Sequence, residues 1–256
     1  MSLDSPTVAG TAATLECARV DLWLAALDGG DLRESTLESM RESRRCLAPD
    51  EVIRADRFLN QATAQQYVAA RNVLRQILGL YLKCDPRDVA LEYGQFGKPA
   101  LVPANRAADL QFNVSHACGH AVYAVCTTAD VGVDIECDDG RIDPTELAPT
   151  ICSAHELRQF QAHSLTEQRE LFFRLWTRKE AYLKCLGSGL NTEPSSLEMS
   201  MADVPEVCAG TGYLLCSVRT FKLPGRFQVS VAARSPLSEV QSFRWWPDRT
   251  PVLPIL

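Results

Sequence analysis

Asp134 and Glu136 stand two residues apart in Gly132-Val133-Asp134-Ile135-Glu136. On a strand this spacing sends both carboxylates to one face, with Cα atoms about 6.5–7 Å apart, while Val133 and Ile135 turn toward a core. Two such acids repel unless something positive lies between them. A hard divalent cation meets that need, and Mg²⁺ characteristically takes one or two carboxylates together with substrate phosphate oxygens. A sheet face open to water would hold the same pair with no partner. Farther along, Trp176, Glu180 and Lys184 recur at every fourth position. A helix places them on one face, with carboxylate and ammonium about 6 Å apart along the axis. An ordinary surface ion pair, worth about 0.2–0.5 kcal/mol, has this spacing too, and Trp176 also suits a core.

Three weaker signals are basic or hydroxylic. Ser115-His116 ends a strand-like run, where an imidazole can donate to an anion and the hydroxyl can add a hydrogen bond. The pair does not read as a nucleophile and its base, because neighbours on an extended chain face opposite ways. His116 as a structural histidine is the alternative. In Gly97-Lys98-Pro99 the glycine lets backbone approach a ligand, and Lys98 is a point charge suited to phosphate. Arg54, Arg57, Arg71 and Arg75 form a basic set in the first half, and a solvated helix face accounts for at least two of them.

The elements that must carry these residues follow from periodicity. Val20–Leu24 reads as a short strand, and Ala48-Pro49-Asp50-Glu51 opens a helix with proline and acids in its first turn. Over 62–82, Tyr67, Ala70, Leu74, Ile77, Leu78 and Tyr81 make one apolar helical stripe. Strands are expected over 89–93, 110–114, 121–126 and 131–137, with Ser115–His120 joining the second and third. Ser153-x-x-Glu156 is a capping box, and a long helix over 166–186 stops at Gly187 and Gly189. Residues 197–256 carry turn signals and alternate, which predicts mostly strand. Phe227–Ala232 shares an F-x-V-S pattern with the run at Phe112. The fold class is α+β, with a frayed stretch over 1–18 and two similar halves, 19–128 and 129–256.

Composition limits the function classes. The 256 residues carry 26 Lys+Arg against 32 Asp+Glu, a net charge of -6, which lacks the basic footprint that nucleic acid requires. No apolar run approaches the roughly 20 residues that span a bilayer, so no membrane is expected. The start has Asp4 and no basic region ahead of an apolar stretch, and the ten cysteines show no C-x-x-C pair. Both features lead to the expectation of a cytoplasmic protein with reduced thiols.

Taken in order, G-K-P, F-N-V-S-H, G-V-D-I-E and W-T-R-K-E-A-Y-L-K resemble the 4′-phosphopantetheinyl transferases of the surfactin-synthetase-activating type, over about residues 47–190. Leu47–Phe58 resembles that family's first helix. The resemblance implies two similar α/β halves packed as a pseudo-dimer within one chain, a monomer, with coenzyme A bound between them. It implies transfer of the phosphopantetheine arm to a serine of an acyl or peptidyl carrier domain, releasing adenosine 3′,5′-bisphosphate. Asp134, Glu136 and Glu180 would hold Mg²⁺, and Mn²⁺ accepts the same hard ligands. Lys184 would contact the phosphates, and Ser115 and His116 would line the nucleotide site, with His116 toward the 3′-phosphate. Gly97, Lys98 and Pro99 would border the adenosine end, and Arg54, with Arg71 behind it, would meet the 3′-phosphate. Glu180 is the first candidate for general base and Glu136 the second.

Two departures are visible. Ala117-Cys118-Gly119 replaces the small pair usual after the Ser-His step, and Glu51 stands where some members are basic. For the carrier partner, the helical region 142–175 with Phe160, Leu165 and Phe172 is the expected docking surface, unless these residues pack the core. The competing function is a carrier-protein adaptor that binds coenzyme A without turnover. It has no chemical need for three carboxylates and Lys184 together.

Overall fold

The computed structural model describes residues 17–27, 44–94, 97–102, 110–187, 192–202, 206–209 and 215–245. The expected frayed stretch, apart from Cys17 and Ala18, and the features at Gly189, Pro205, Gly210 and Gly212 lie outside these residues.

Each half folds the same way. In the first, β1 (Ala18–Ala26) is followed by α1 (Pro49–Asp56), α2 (Gln61–Leu82), a short hairpin of β2 (Leu91–Tyr93) and β3 (Pro99–Leu101), then β4 (Gln111–Ala117) and β5 (His120–Cys126). In the second, β6 (Val131–Cys137) leads through α3 (Pro144–Ile151) and α4 (Ala154–Gln161) to α5 (Leu165–Leu186), then to β7 (Glu206–Ala209), β8 (Leu215–Leu223) and β9 (Phe227–Ala233). β1 pairs antiparallel with β5 and β5 with β4; likewise β6 pairs with β9 and β9 with β8. Strand, long helix and returning hairpin therefore repeat, as two similar halves require.

The F-x-V-S pattern does not carry that repeat. Topology matches β4 with β8 and β5 with β9, whereas Phe112 lies on β4 and Phe227 on β9. Nor does the chain keep the two sheets to separate stretches. A last strand, β10 (Leu237–Arg244), crosses back and pairs parallel with β1, so the sheet orders are β10-β1-β5-β4 and β6-β9-β8-β7.

Local sequence sets the boundaries. Asn60 caps α2 by accepting from Ala62 N and Thr63 N at 2.8 and 3.2 Å. Ser153 with Glu156 and Ser164 with Glu167 form the capping boxes of α4 and α5, and Gly187 ends α5 in the left-handed region at φ 68°. The β4–β5 connection is shorter than the sequence predicts. Ser115, His116 and Ala117 stay on the strand, and the turn is only Cys118-Gly119, both with positive φ (45° and 72°). Two left-handed residues in succession match the twist of a two-residue hairpin.

The layers are helix, sheet, sheet, helix. Val20, Leu22, Val122 and Ala124 meet Val133, Ile135, Val229 and Val231 between the sheets. Val73, Leu74, Ile77 and Leu78 of α2 cover the far face of the first sheet, and Phe172, Phe173 and Leu175 of α5 cover the second. Buried Val or Ile side chains here contribute about 1.5–3 kcal/mol each. The closest helix–strand approach is at Gly132, where a Cβ would stand 2.0 Å from Ala181 O and 2.4 Å from Cys185 N. Only a residue without a side chain lets β6 lie this near α5.

The clash at Gly132 would be with backbone, which no rotamer change relieves. Gly132→Ala is therefore expected to destabilise the protein by at least about 1–3 kcal/mol, read as a lower urea midpoint, with loss of activity in the folded fraction.

Candidate active site

The contact at Gly132 brings together residues from both ends of the chemistry. Gly132, Asp134 and Glu136 share the α5-facing side of β6, while Val133 and Ile135 are sealed between the sheets. Asp134 is 3% exposed. Its Oδ1 accepts from Lys184 Nζ at 2.5 Å and from Ser115 Oγ at 2.8 Å, and Lys184 Nζ also donates to Ser115 Oγ at 2.9 Å. Residues from β4, β6 and α5 thus close one triangle across the two halves. Its other oxygen, Asp134 Oδ2, is buried and has no hydrogen-bond partner among the described residues, a costly state that invites a positive ligand.

Electrostatics points the same way. Burial raises the Asp134 carboxyl above the usual range despite the ammonium beside it. Glu136 is pushed up to about 7, first by burial and then by the charges of Asp134 and Glu180. Glu180 rises for the same two reasons, burial and Asp134. The three carboxylates therefore feel one another, with Lys184 as the opposing charge. Among the described residues no three His, Cys, Asp or Glu side chains form a ready-made ion cage, and Lys184 occupies Asp134 Oδ1. The donor set still suits a hard cation: three oxygen-bearing groups, one with an orphaned buried atom.

A cavity of about 880 Å³ opens beside this cluster and runs between the halves. Glu180, Lys184 and Leu183 form one wall, Gly97, Lys98 and Pro99 another, and Arg54, Tyr67 and Arg71 a third; His116 and Asn113 complete it. His116 is exposed at its edge, as the alternation with buried Ser115 predicts. Protein packed around the ring, then the Lys184 and Arg71 cations, hold its imidazole below the usual histidine range. An anion bound there would favour the protonated ring.

The arginines divide. Arg54 and Arg57 are exposed, and Arg54 lies over the Tyr67 ring at 5.6 Å. Arg75, read as one of a basic set on a helix face, is instead fully buried: Nε donates to Glu51 Oε2 at 2.6 Å, and Nη1 to Pro86 O and Val89 O. Glu51 therefore serves as the counter-ion that lets α2 bury an arginine. Arg71 stands between the rings of Tyr67 and Tyr93, at 5.5 and 5.4 Å, with Nε 4.0 Å from Glu51. Its Nη1 and the Tyr67 hydroxyl are buried without a well-aligned hydrogen bond.

Sequence reasoning missed Tyr67 and Asn113. Tyr67 belongs to the apolar stripe of α2, yet it also lines the cavity; an arginine four residues later is the available signal. Asn113 is 4% exposed and its Oδ1 accepts from Val133 N at 3.0 Å, joining β4 to β6 where no ladder bond does. An amide inside an apolar strand was the clue. Two expectations change. Ser115 holds Asp134 rather than lining the cavity, and the Lys98 ammonium donates to Lys184 O and Val131 O. Of the residues expected to form a carrier surface over 142–175, Phe160 is corrected and Phe172 takes the core alternative. They are core residues at 2% and 0% exposure, and only Leu165 stands out, at 76%.

Known proteins resemble this chain along most of its length. Residues 130–237 match the 4′-phosphopantetheinyl transferase superfamily, and residues 34–128 match the family described as 4′-phosphopantetheinyl transferase, N-terminal. The 4′-phosphopantetheinyl transferase HetI of Nostoc sp. is 34% identical over 200 residues, spanning 74% of this chain and 82% of that protein. The 4′-phosphopantetheinyl transferase Sfp of Bacillus subtilis is 23% identical over 194 residues, 74% of this chain and 83% of its own. The AcpT transferase of Salmonella typhimurium is 32% identical over 134 residues, 48% of this chain and 68% of its own. With an identity of 34% to a relative matched over 82% of its length, and both halves matched in turn, the chain belongs to the 4′-phosphopantetheinyl transferases.

Proposed function

We propose that this transferase takes its phosphopantetheine from coenzyme A bound in the cavity between the halves. Asp134, Glu136 and Glu180 would hold a divalent cation, Mg²⁺ in the first instance, and the acceptor would be the serine of an acyl or peptidyl carrier domain. The observation that carries this reading is Asp134. One oxygen is gripped by Lys184 and Ser115, and the other is buried and unpartnered next to two more acids. A folded protein keeps such a group only where something supplies the missing charge. The test is mass spectrometry of an apo carrier domain mixed with the protein, coenzyme A and Mg²⁺. The expected result is one added phosphopantetheine per carrier, and an unmodified carrier would overturn the reading.

The residues divide the work. Transfer from a diphosphate is chiefly positioning and neutralisation of charge on oxygen. Bound Mg²⁺ would supply Lewis acidity and charge neutralisation to the diphosphate. Lys184, already within hydrogen-bond reach of Ser115 and Asp134, is placed to turn its ammonium onto the phosphates and to give a proton to the departing oxygen of adenosine 3′,5′-bisphosphate. Glu180 is the base for the carrier serine hydroxyl, because burial and the Asp134 charge strengthen its hold on a proton. Arg71 Nη1 and the Tyr67 hydroxyl, with Arg54 and His116, suit the 3′-phosphate. In this reading the reacting diphosphate would lie at α5 and the nucleotide end between α2 and the Gly97–Pro99 turn, an order that the cavity walls support.

Three outcomes follow. Asp134→Asn and Glu180→Gln should each lower kcat by about 10²- to 10³-fold with unchanged circular dichroism. Arg71→Leu should raise KM for coenzyme A about tenfold while kcat changes little, since its contact is to a part of the substrate that does not react. The third concerns pH. Glu136 is raised from 4.5 to about 7 in the fold, so the native state binds this proton more tightly than the unfolded chain. Its contribution is complete below pH 4.5 and lost as pH rises through about 7. In EDTA, melting temperature should therefore fall more between pH 5 and pH 8 than it does for Glu136→Gln, and Mg²⁺ should restore it at the upper pH only.

A further inference from the structure

Lys98 lies in a turn that faces the cavity, yet its charge is directed into the protein. Nζ donates to Lys184 O at 2.7 Å and to Val131 O at 3.5 Å. Burial lowers its ammonium pKa, as expected for a lysine withdrawn from water. The turn is itself closed: Gly97 N donates to Gly94 O at 2.9 Å, Gly94 N to Lys98 O at 3.0 Å, and Gly97 sits at φ 75°. The ammonium therefore extends from a turn held by its own backbone hydrogen bonds.

Its acceptors are well chosen for positioning. Lys184 O belongs to the last turn of α5, where carbonyls lack a helical donor, and it also takes Gly187 N at 3.3 Å. A cation there complements the negative end of the helix dipole. The side chain of that same Lys184 holds Asp134 Oδ1 and Ser115 Oγ. Val131, the second acceptor, opens β6 three residues before Asp134. One ammonium from the first half thus meets the backbone of both second-half elements that carry the reacting groups.

We infer that Lys98 is a positioning residue, whose ammonium ties the cavity-facing Gly97–Pro99 turn to the end of α5 and the start of β6 and so fixes the aim of Lys184 and Asp134. This rests on the reading that the cavity takes coenzyme A and that the carboxylate cluster reacts. A direct contact from Lys98 to phosphate is the competing role, and it would act on substrate binding alone.

The test compares the full-length wild type with Lys98→Arg, Lys98→Gln and Lys98→Met. Steady-state transfer to an apo carrier domain is measured together with amide hydrogen exchange of the substrate-free protein. The expected result for Lys98→Met is a kcat lower by about 10- to 100-fold, the range for a displaced catalytic group, with faster exchange over both 97–102 and 180–187. Lys98→Arg should recover most of both losses, and Lys98→Gln, with a neutral donor, should fall between. A raised KM for coenzyme A with unchanged kcat and unchanged exchange at 180–187 would overturn the inference in favour of direct phosphate contact. If Lys98→Met fails to fold, the Arg and Gln variants give the same comparison. Exchange in the substrate-free protein decides the tie independently of turnover, so a wild type that transfers nothing would discredit the functional reading without deciding the role of Lys98.

Discussion

The arrangement depends on backbone meeting backbone at Gly132. Strand β6 lies so close to α5 there that a methyl group would overlap the carbonyl of Ala181. Every functional distance downstream follows from that closeness. Two residues along the strand comes Asp134, and on the facing helix Glu180 precedes Ala181 and Lys184 precedes Cys185, the two residues that Gly132 meets. A helix packed at ordinary side-chain distance would leave those groups separated by water. The glycine is thus a requirement of geometry, and the valine and isoleucine on the opposite face supply the burial that holds the strand down.

That closeness creates an electrostatic tension. Three carboxylates share one ammonium, and burial raises the proton affinity of all three. Two other buried charges are instead closely matched. Lys179 donates to Glu156 and to three carbonyls, from Ile151, Pro194 and Leu197. Arg75 is matched by Glu51 and two carbonyls. The contrast with Asp134 is one of satisfaction: the Lys179 and Arg75 charges have partners on several sides, whereas the carboxylate beside the cavity keeps a buried oxygen without one.

Legibility in the sequence followed the range of the interaction. Elements governed by near neighbours were readable: β6 from alternation, α5 from its capping serine and terminal glycine, the shared face of Glu180 and Lys184 from the helical period. The motifs also revealed the family, because their order encodes a whole arrangement. What escaped reading depends on contacts between distant segments. Arg75 looked solvated until Glu51, 24 residues away, arrived as its counter-ion. Lys98 looked like a phosphate ligand until α5, 86 residues on, offered a carbonyl. Tyr67 met the criteria for an apolar stripe, and only the cavity wall shows that its hydroxyl end matters. Phe160 looked available for a partner because part of the cluster that buries it, Met199, Met201 and Cys216, comes from later in the chain.

Strand β10 has a consequence for how the molecule is made. It pairs with β1 across nearly the whole polypeptide, with Ser238 Oγ bonded to Ala18 O over a separation of 220 residues. As the chain leaves the ribosome, β1 can recruit β5 early, but its other border stays open until the final strand emerges. Between the emergence of β5 and that of β10 the nascent first half carries an unsealed row of amides and carbonyls, and the arrival of residues 237–244 is the event that closes it.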